Sequence, residues 1–160
     1  MTRTALLALL LVLTFLGLAD AWYLAQSALD GTALSCGIQG LEAMNGCNQV
    51  AQSAYSHFLG LPLALYGVAF YAALFVIASV LFAFPIRLLY RATIALGVIG
   101  FMLSLYFVFL QAFVIKALCI YCMASMAIAV LIFIVAWNLW KKFTPVKIVE
   151  PVVPTMPLVS

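Results

Sequence analysis

Charge is scarce in this chain of 160 residues. Lysine and arginine together number seven, aspartate and glutamate four, and His57 is the single histidine. Charged residues make up 7% of the sequence and hydrophobic residues 69%, where a soluble domain carries about 25% charged. A water-soluble fold of this size cannot hide that much apolar surface, so lipid must be the solvent for most of the chain. Nothing resembling a basic nucleic-acid surface is present, and no nucleic-acid partner is expected. No internal repeat at a period of about 20–50 residues stands out. The length accommodates one domain and no second folded unit beside the membrane part.

Four long apolar runs remain, at about 5–26, 61–84, 91–115 and 117–140, with Asp20 inside the first and Arg91 at the head of the third. Crossing the hydrocarbon core takes roughly 20 apolar residues in a helix. In lipid every backbone group must pair within the protein, which leaves helices or a closed barrel. The barrel needs alternating polar and apolar residues, which these runs do not have. The expected fold is therefore an all-α integral membrane bundle of four spans, with a long extracytoplasmic loop between the first two. Residues 1–142 form the membrane domain. Residues 143–160 contain Pro145, Pro151, Pro154 and Pro157, too many for a regular helix, and are expected as an extended cytoplasmic tail. Gly97 and Gly100 in the third run permit close helix contact. The first run has a second reading: Thr2-Arg3-Thr4, an apolar stretch and Ala19-Asp20-Ala21 also fit a cleavable secretory signal. Trp22 and Tyr23 suit the interfacial end of an uncleaved span.

Basic residues orient the bundle. Arg3 precedes the first run, Arg87 and Arg91 lie between the second and third, and Lys141, Lys142 and Lys147 follow the fourth. All lie on one side of a four-span topology, with Lys116 alone on the other. The side rich in lysine and arginine is cytoplasmic, which puts both termini inside. The residues near 27–60 and the link near 111–116 then lie outside.

All four cysteines fall on that outer side. Cys36 and Cys47 are in the first outer loop; Cys119 and Cys122 stand at the outer start of the fourth run. Disulfides form and persist in such oxidising compartments. Cys119-Ile120-Tyr121-Cys122 is a C-x-x-C motif. On a helix, residues three apart share a face, and a helix N-terminus favours the reactive thiolate. Lys116 adds positive potential just before it. Cys36 and Cys47 sit among glycines, in Cys36-Gly37-Ile38-Gln39-Gly40 and Asn45-Gly46-Cys47, and a flexible cysteine pair can shuttle by disulfide exchange. A static staple closing the loop is the alternative. Zinc is the other standard use of four cysteines, but one pair here is widely spaced, the other begins inside an apolar run, and no histidine is near, so no metal site is expected.

Cys36, the run Cys47-Asn48-Gln49-Val50-Ala51-Gln52-Ser53, Tyr55-Ser56, Gly60-Leu61-Pro62 and Cys119-Ile120-Tyr121-Cys122 together resemble the vitamin K epoxide reductase family in its compact bacterial form. The resemblance covers about 4–140. Bacterial disulfide-bond formation protein B has a similar plan but carries its C-x-x-C in the first outer loop. Membership implies a thiol:quinone oxidoreductase of the inner membrane that reoxidises a thioredoxin-like partner for disulfide formation. Cys36 is then the outermost sulfur, attacked by the partner; Cys47 attacks Cys119; Cys122 faces the quinone, ubiquinone or menaquinone. Ser53 matches the family's loop serine near the quinone pocket, and as an isolated residue it also reads as a helix N-cap. The family's hydrogen-bond donors to the quinone do not carry over: one turn past Cys122 stands Met126, which cannot donate, and no asparagine aligns. Many bacterial members carry a fused thioredoxin-like domain; here the partner is expected to be a separate protein. For the pocket lining, Tyr66, Phe70, Tyr106, Phe109, Phe113 and Tyr121 are the aromatic candidates. Competing functions are reduction of a quinone epoxide, a non-enzymatic membrane protein with structural disulfides, and, ranked last, a small transporter, since the last three runs contain no ionisable pathway residues.

Overall fold

The computed structural model describes residues 2–36 and 45–142; the proline-containing segment 143–160 and the glycines at 37 and 40 lie outside the described residues. Among the described residues, four helices are long and apolar enough to cross a membrane: Arg3–Asp30, Leu63–Ala83, Arg87–Ile115 and Ile120–Lys142.

Local chemistry sets each boundary. Helix α1 (Arg3–Asp30) starts at Thr2, whose hydroxyl accepts the Ala5 N–H at 3.2 Å, satisfying one of the orphan donors of a helix start. It ends at Gly31, left-handed at φ 62°, whose N–H returns to the Ser27 carbonyl, as glycine after a helix end does. The helix therefore runs a turn beyond the expected 26, and Ala19-Asp20-Ala21 lies inside it. Short elements follow: α2 (Cys47–Ala51) and the hairpin β1 (His57–Phe58) with β2 (Leu61–Pro62). Leu59 and Gly60 both have positive φ, the turn geometry that matches the twist of a two-residue hairpin. Helix α3 (Leu63–Ala83) stops where Phe84 becomes extended ahead of Pro85, as the residue before a proline prefers. Helix α4 (Arg87–Phe109) widens into a π-helical turn, Leu110–Ile115, closed by left-handed Lys116. Helix α5 (Ile120–Lys142) ends in Lys141 and Lys142, cations at the negative end of its dipole.

Helix α1 packs on α3 and α5, and α4 packs on α5. Leu10, Leu74, Leu81 and Ile132, from three different helices, form the fully buried centre. Gly17 gives the Tyr71 ring its room, since any Cβ there would overlap it. Gly97 and Gly100 act as close-contact positions: a Cβ at Gly97 would lie 3.4 Å from Phe133 Cα of α5, and one at Gly100 2.6 Å from the Phe70 ring of α3. Arg3 donates to the Tyr90 hydroxyl at 3.0 Å, and Arg91 lies over the Trp140 ring at 5.9 Å. The chain start, the 84–86 link and the end of α5 are thus at one end of the bundle. The cysteines are at the other.

Candidate functional site

The described part of the α1–α3 connection is held against the bundle by polar contacts that place its cysteines. The Asn48 side chain accepts the Leu34 N–H at 2.7 Å and donates to the Leu34 carbonyl at 3.2 Å. This pins the stretch before Cys36 to the start of α2, and Cys36 and Cys47 are joined in a disulfide with their Cα atoms 6.1 Å apart. Asn45 pairs with Cys119 as an antiparallel bridge, and Gly46 donates to the Leu118 carbonyl at 3.0 Å. Gly46 has no space for a side chain: a Cβ would sit 2.7 Å from the Ala117 Cβ. Its absence lets the backbones meet. Cys47, Cys119 and Leu34 form one buried cluster, with half-buried Cys36 and Cys122 packed on it.

The C-x-x-C pair is reduced. Its position differs from expectation by a small, informative amount. Cys119 is not within the helix but just ahead of it, and its carbonyl accepts the Met123 N–H at 3.1 Å. The helix-start N–H groups therefore face this thiol. Cys119 is pulled from its ordinary 9.0 to about 7, first by the hydrogen bond from the Cys122 thiol and then by the Cys122 and Tyr121 backbone N–H groups, against the opposing effect of burial. The thiolate, the reactive form, is stabilised here.

Gln111 is a site residue that the sequence pattern did not single out. It is only 3% exposed; its side-chain carbonyl accepts the Cys119 N–H at 3.0 Å, and it reaches the Cys122 thiol. The π-helical turn carries it, a widening often found at functional sites. A lone polar residue in the third apolar run was the available signal. At the same end of the bundle the Tyr121 hydroxyl donates to the Ser35 carbonyl at 3.0 Å and its ring meets Tyr23 at 5.2 Å.

Below the sulfurs opens a cavity of about 440 Å³ lined by Cys47, Cys119 and Cys122, and by Ser53, Gln111, Phe70, Tyr71 and Ser125 among others. A mostly apolar wall with a few polar groups is the usual form of a small-molecule site, and the volume falls within the range of such sites. Ser53 lines it but caps no helix; its hydroxyl donates to the Val50 carbonyl at 2.7 Å, closing the end of α2. Exposed His57 also reaches the cavity wall, its Nδ1 2.9 Å from the Ser56 hydroxyl. Of the aromatic candidates, Tyr66 and Phe70 line the cavity. Tyr106, Phe109 and Phe113 point outward, each more than half exposed, and Tyr121 is tied to Ser35. One turn past Cys122, Ser125 rather than Met126 faces the cavity.

In comparisons with known proteins, a family model described as the vitamin K epoxide reductase family matches residues 8–137, a stretch that contains all four cysteines and nearly all of the four helices. Among curated proteins nothing matches the chain.

Proposed function

The chain belongs to the vitamin K epoxide reductase family, a family of membrane oxidoreductases, and on that premise we propose that it is a thiol:quinone oxidoreductase that reoxidises a thioredoxin-like dithiol protein. The observation that carries this is one buried cluster holding Cys47 and Cys119 together, at the head of a cavity that both of them and Cys122 line.

The chemistry follows from the sulfurs' surroundings. A reduced partner's thiolate attacks Cys36, the more accessible of the loop sulfurs. The Cys36–Cys47 bond breaks, a mixed disulfide forms, and the partner's second thiol resolves it, leaving the partner oxidised and Cys36 and Cys47 reduced. Cys47 then attacks Cys119 of an oxidised Cys119–Cys122 pair and releases Cys122. Attack by Cys36 on Cys47 restores the loop disulfide and expels Cys119. A thiol of lowered pKa leaves faster, so the Cys119 environment favours this step. The pairing this leaves, Cys36 bonded to Cys47 with Cys119 and Cys122 free, agrees with the sulfur pairing of the structure. From it, Cys119 and Cys122 give two electrons and two protons to a quinone, with Cys122 facing the ring and Ser53 helping to shape the loop side of its pocket. Thiolate activation and geometry come from the protein; the quinone carries the electrons away.

The basic end of the bundle, with Arg3, Arg87, Arg91, Lys141 and Lys142, is the cytoplasmic one by the positive-inside rule, which puts the sulfurs in the oxidising compartment outside an inner membrane. Reduction of a quinone epoxide by the same dithiol is the second reading, favoured by the family's own description; it uses the same cavity.

The test is anaerobic quinone reduction by the purified protein with a reduced thioredoxin-like donor. Alanine at Cys36, Cys47, Cys119 or Cys122 is expected to abolish turnover. A small dithiol that reduces the inner pair directly restores it in the Cys36 and Cys47 variants only. A Cys119→Ala protein that turned over at the normal rate would overturn the proposal, and a quinone epoxide in the same assay separates the two readings.

A further inference from the structure

One turn beneath Cys122, three helices bring polar side chains together inside the bundle. Asp20 of α1 is an acidic residue within a membrane span. Its carboxyl faces the Ser125 hydroxyl of α5, close enough for the two to interact, while its Oδ2 is buried with no hydrogen-bond partner. The Tyr71 hydroxyl of α3 lies 3.0 Å from the Ser125 hydroxyl, an arrangement in which either oxygen can donate, and 3.1 Å from the Ser125 carbonyl. Tyr71 and Ser125 line the cavity with Cys122; Asp20 stands behind them.

An ionisable side chain inside a membrane span is expensive and marks function by default. An unpartnered buried carboxyl oxygen adds to the cost, and a stability role would be served better by an apolar residue. What the carboxyl reaches is a pair of hydroxyls whose hydrogen bond can run in either direction. A proton arriving at Asp20 therefore has a path through Ser125 and Tyr71 to the cavity. The titratable groups that share its field are Tyr71 of α3, Tyr121 and Cys122 of α5, and Cys119 ahead of α5.

Building on the quinone oxidoreductase reading, we propose that Asp20, Ser125 and Tyr71 form a proton relay to the quinone, with Asp20 as a positioning residue acting through the two hydroxyls. When Cys119 and Cys122 are oxidised, an S–S bond forms and the pair gives up two electrons and two protons. The quinone gains both electrons, and its two carbonyl oxygens become hydroxyls. One proton passes from the Asp20 carboxyl to Ser125, from Ser125 to Tyr71 and from Tyr71 to the nearer quinone oxygen, and a proton from the cysteine pair restores Asp20. The other proton goes from the cysteine pair to the far oxygen. The relay supplies the hydrogen-bond donors that Met126 cannot provide.

The experiment is single-turnover oxidation of the reduced full-length protein in nanodiscs by a short-chain ubiquinone. Alkylation of Cys119 and Cys122 reports the thiols, absorbance reports the quinone, and each run is repeated in heavy water. Asp20→Asn and Tyr71→Phe are expected to slow the quinone step by about 100- to 10,000-fold, the range for a positioned proton-transfer group. They should also lower the solvent isotope effect below that of wild type and leave reduction of the Cys36–Cys47 disulfide by a thioredoxin-like donor unchanged, while Asp20→Glu should keep part of the rate that Asp20→Asn loses. Rates within about twofold of wild type for both variants overturn the relay, as does equal slowing of both steps with an unchanged isotope effect, which is the mark of lost packing. Tyr71→Phe keeps the ring against Gly17, so it reports on the hydroxyl even if Asp20→Asn misfolds. A wild-type protein whose thiols no quinone oxidises instead sinks the oxidoreductase reading itself.

Discussion

Sulfur reactivity here is decided by single neighbours. The Cys119 thiolate owes its stabilisation first to the hydrogen bond that Cys122 donates, so Cys122→Ala is expected to move the Cys119 midpoint from about 7 back toward 9.0. Thiolate absorbance followed against pH checks this. Because the folded value is depressed, the associated stabilisation is complete above the ordinary pKa and disappears as pH falls through about 7. Oxidation of the C-x-x-C pair should accordingly speed up as pH rises from 6 to 8 and level off beyond. Gln111→Leu leaves the buried Cys119 N–H without its acceptor, an expected loss of about 1–3 kcal/mol, measurable as a lower unfolding midpoint in detergent. The four cysteines stand out in the sequence because their spacing is a chemical pattern. Gln111 and Asp20 are also visible there, one as an interruption of an apolar run and the other as part of a cleavage-like motif. Their partners, Cys119, Ser125 and Tyr71, are remote in sequence and join them only through packing.

Secondary elements convert these residues into a site. Gly46 is the contact on which the two cysteine pairs meet, since its backbone lies against Ala117 and Leu118. Gly46→Val must push the loop away from Cys119, and a misplacement of about 1 Å can cost on the order of 100-fold in rate. Partner-driven quinone reduction is expected to fall by that order, while quinone oxidation of the C-x-x-C pair, started with a small dithiol, is retained. Stopped-flow measurement of the two steps separates them. Apolar runs and helices coincide closely: the 61–84 run lies on Leu63–Ala83, and the 117–140 run on Ile120–Lys142. The π-helical turn was not readable, because its wider ladder leaves the apolar composition of the run unchanged. The N-cap alternative for Ser53 was wrong, since its hydroxyl closes the end of α2 instead of opening a helix.

At the scale of the whole bundle, Arg3, Arg87, Arg91, Lys141 and Lys142 stand at one end of the four helices, and the sulfurs, with Lys116, at the other. With native cysteines replaced, a cysteine at exposed Pro85 is expected to react with a membrane-impermeant maleimide only from the cytoplasmic side, and one at exposed Thr32 only from the outside. Labelling in intact cells against inverted vesicles tests both; the reverse pattern would place the sulfurs in a reducing compartment, where a disulfide relay has no net direction.

Span number, the expected orientation and the choice of candidate sulfurs are properties of the sequence by itself, because hydropathy, lysine and arginine placement and cysteine spacing each act along the chain. Tertiary structure alone decided that Gly46 brings Cys47 beside Cys119, that Tyr66 and Phe70 but not Tyr106 or Phe113 line the cavity, and that Asp20 has hydroxyls to act through. Those are contacts between residues of different helices. Helix rotation and register, which apolar runs without a strongly polar face leave open, are settled by small-residue contacts such as Gly17 against Tyr71 and Gly97 against Phe133.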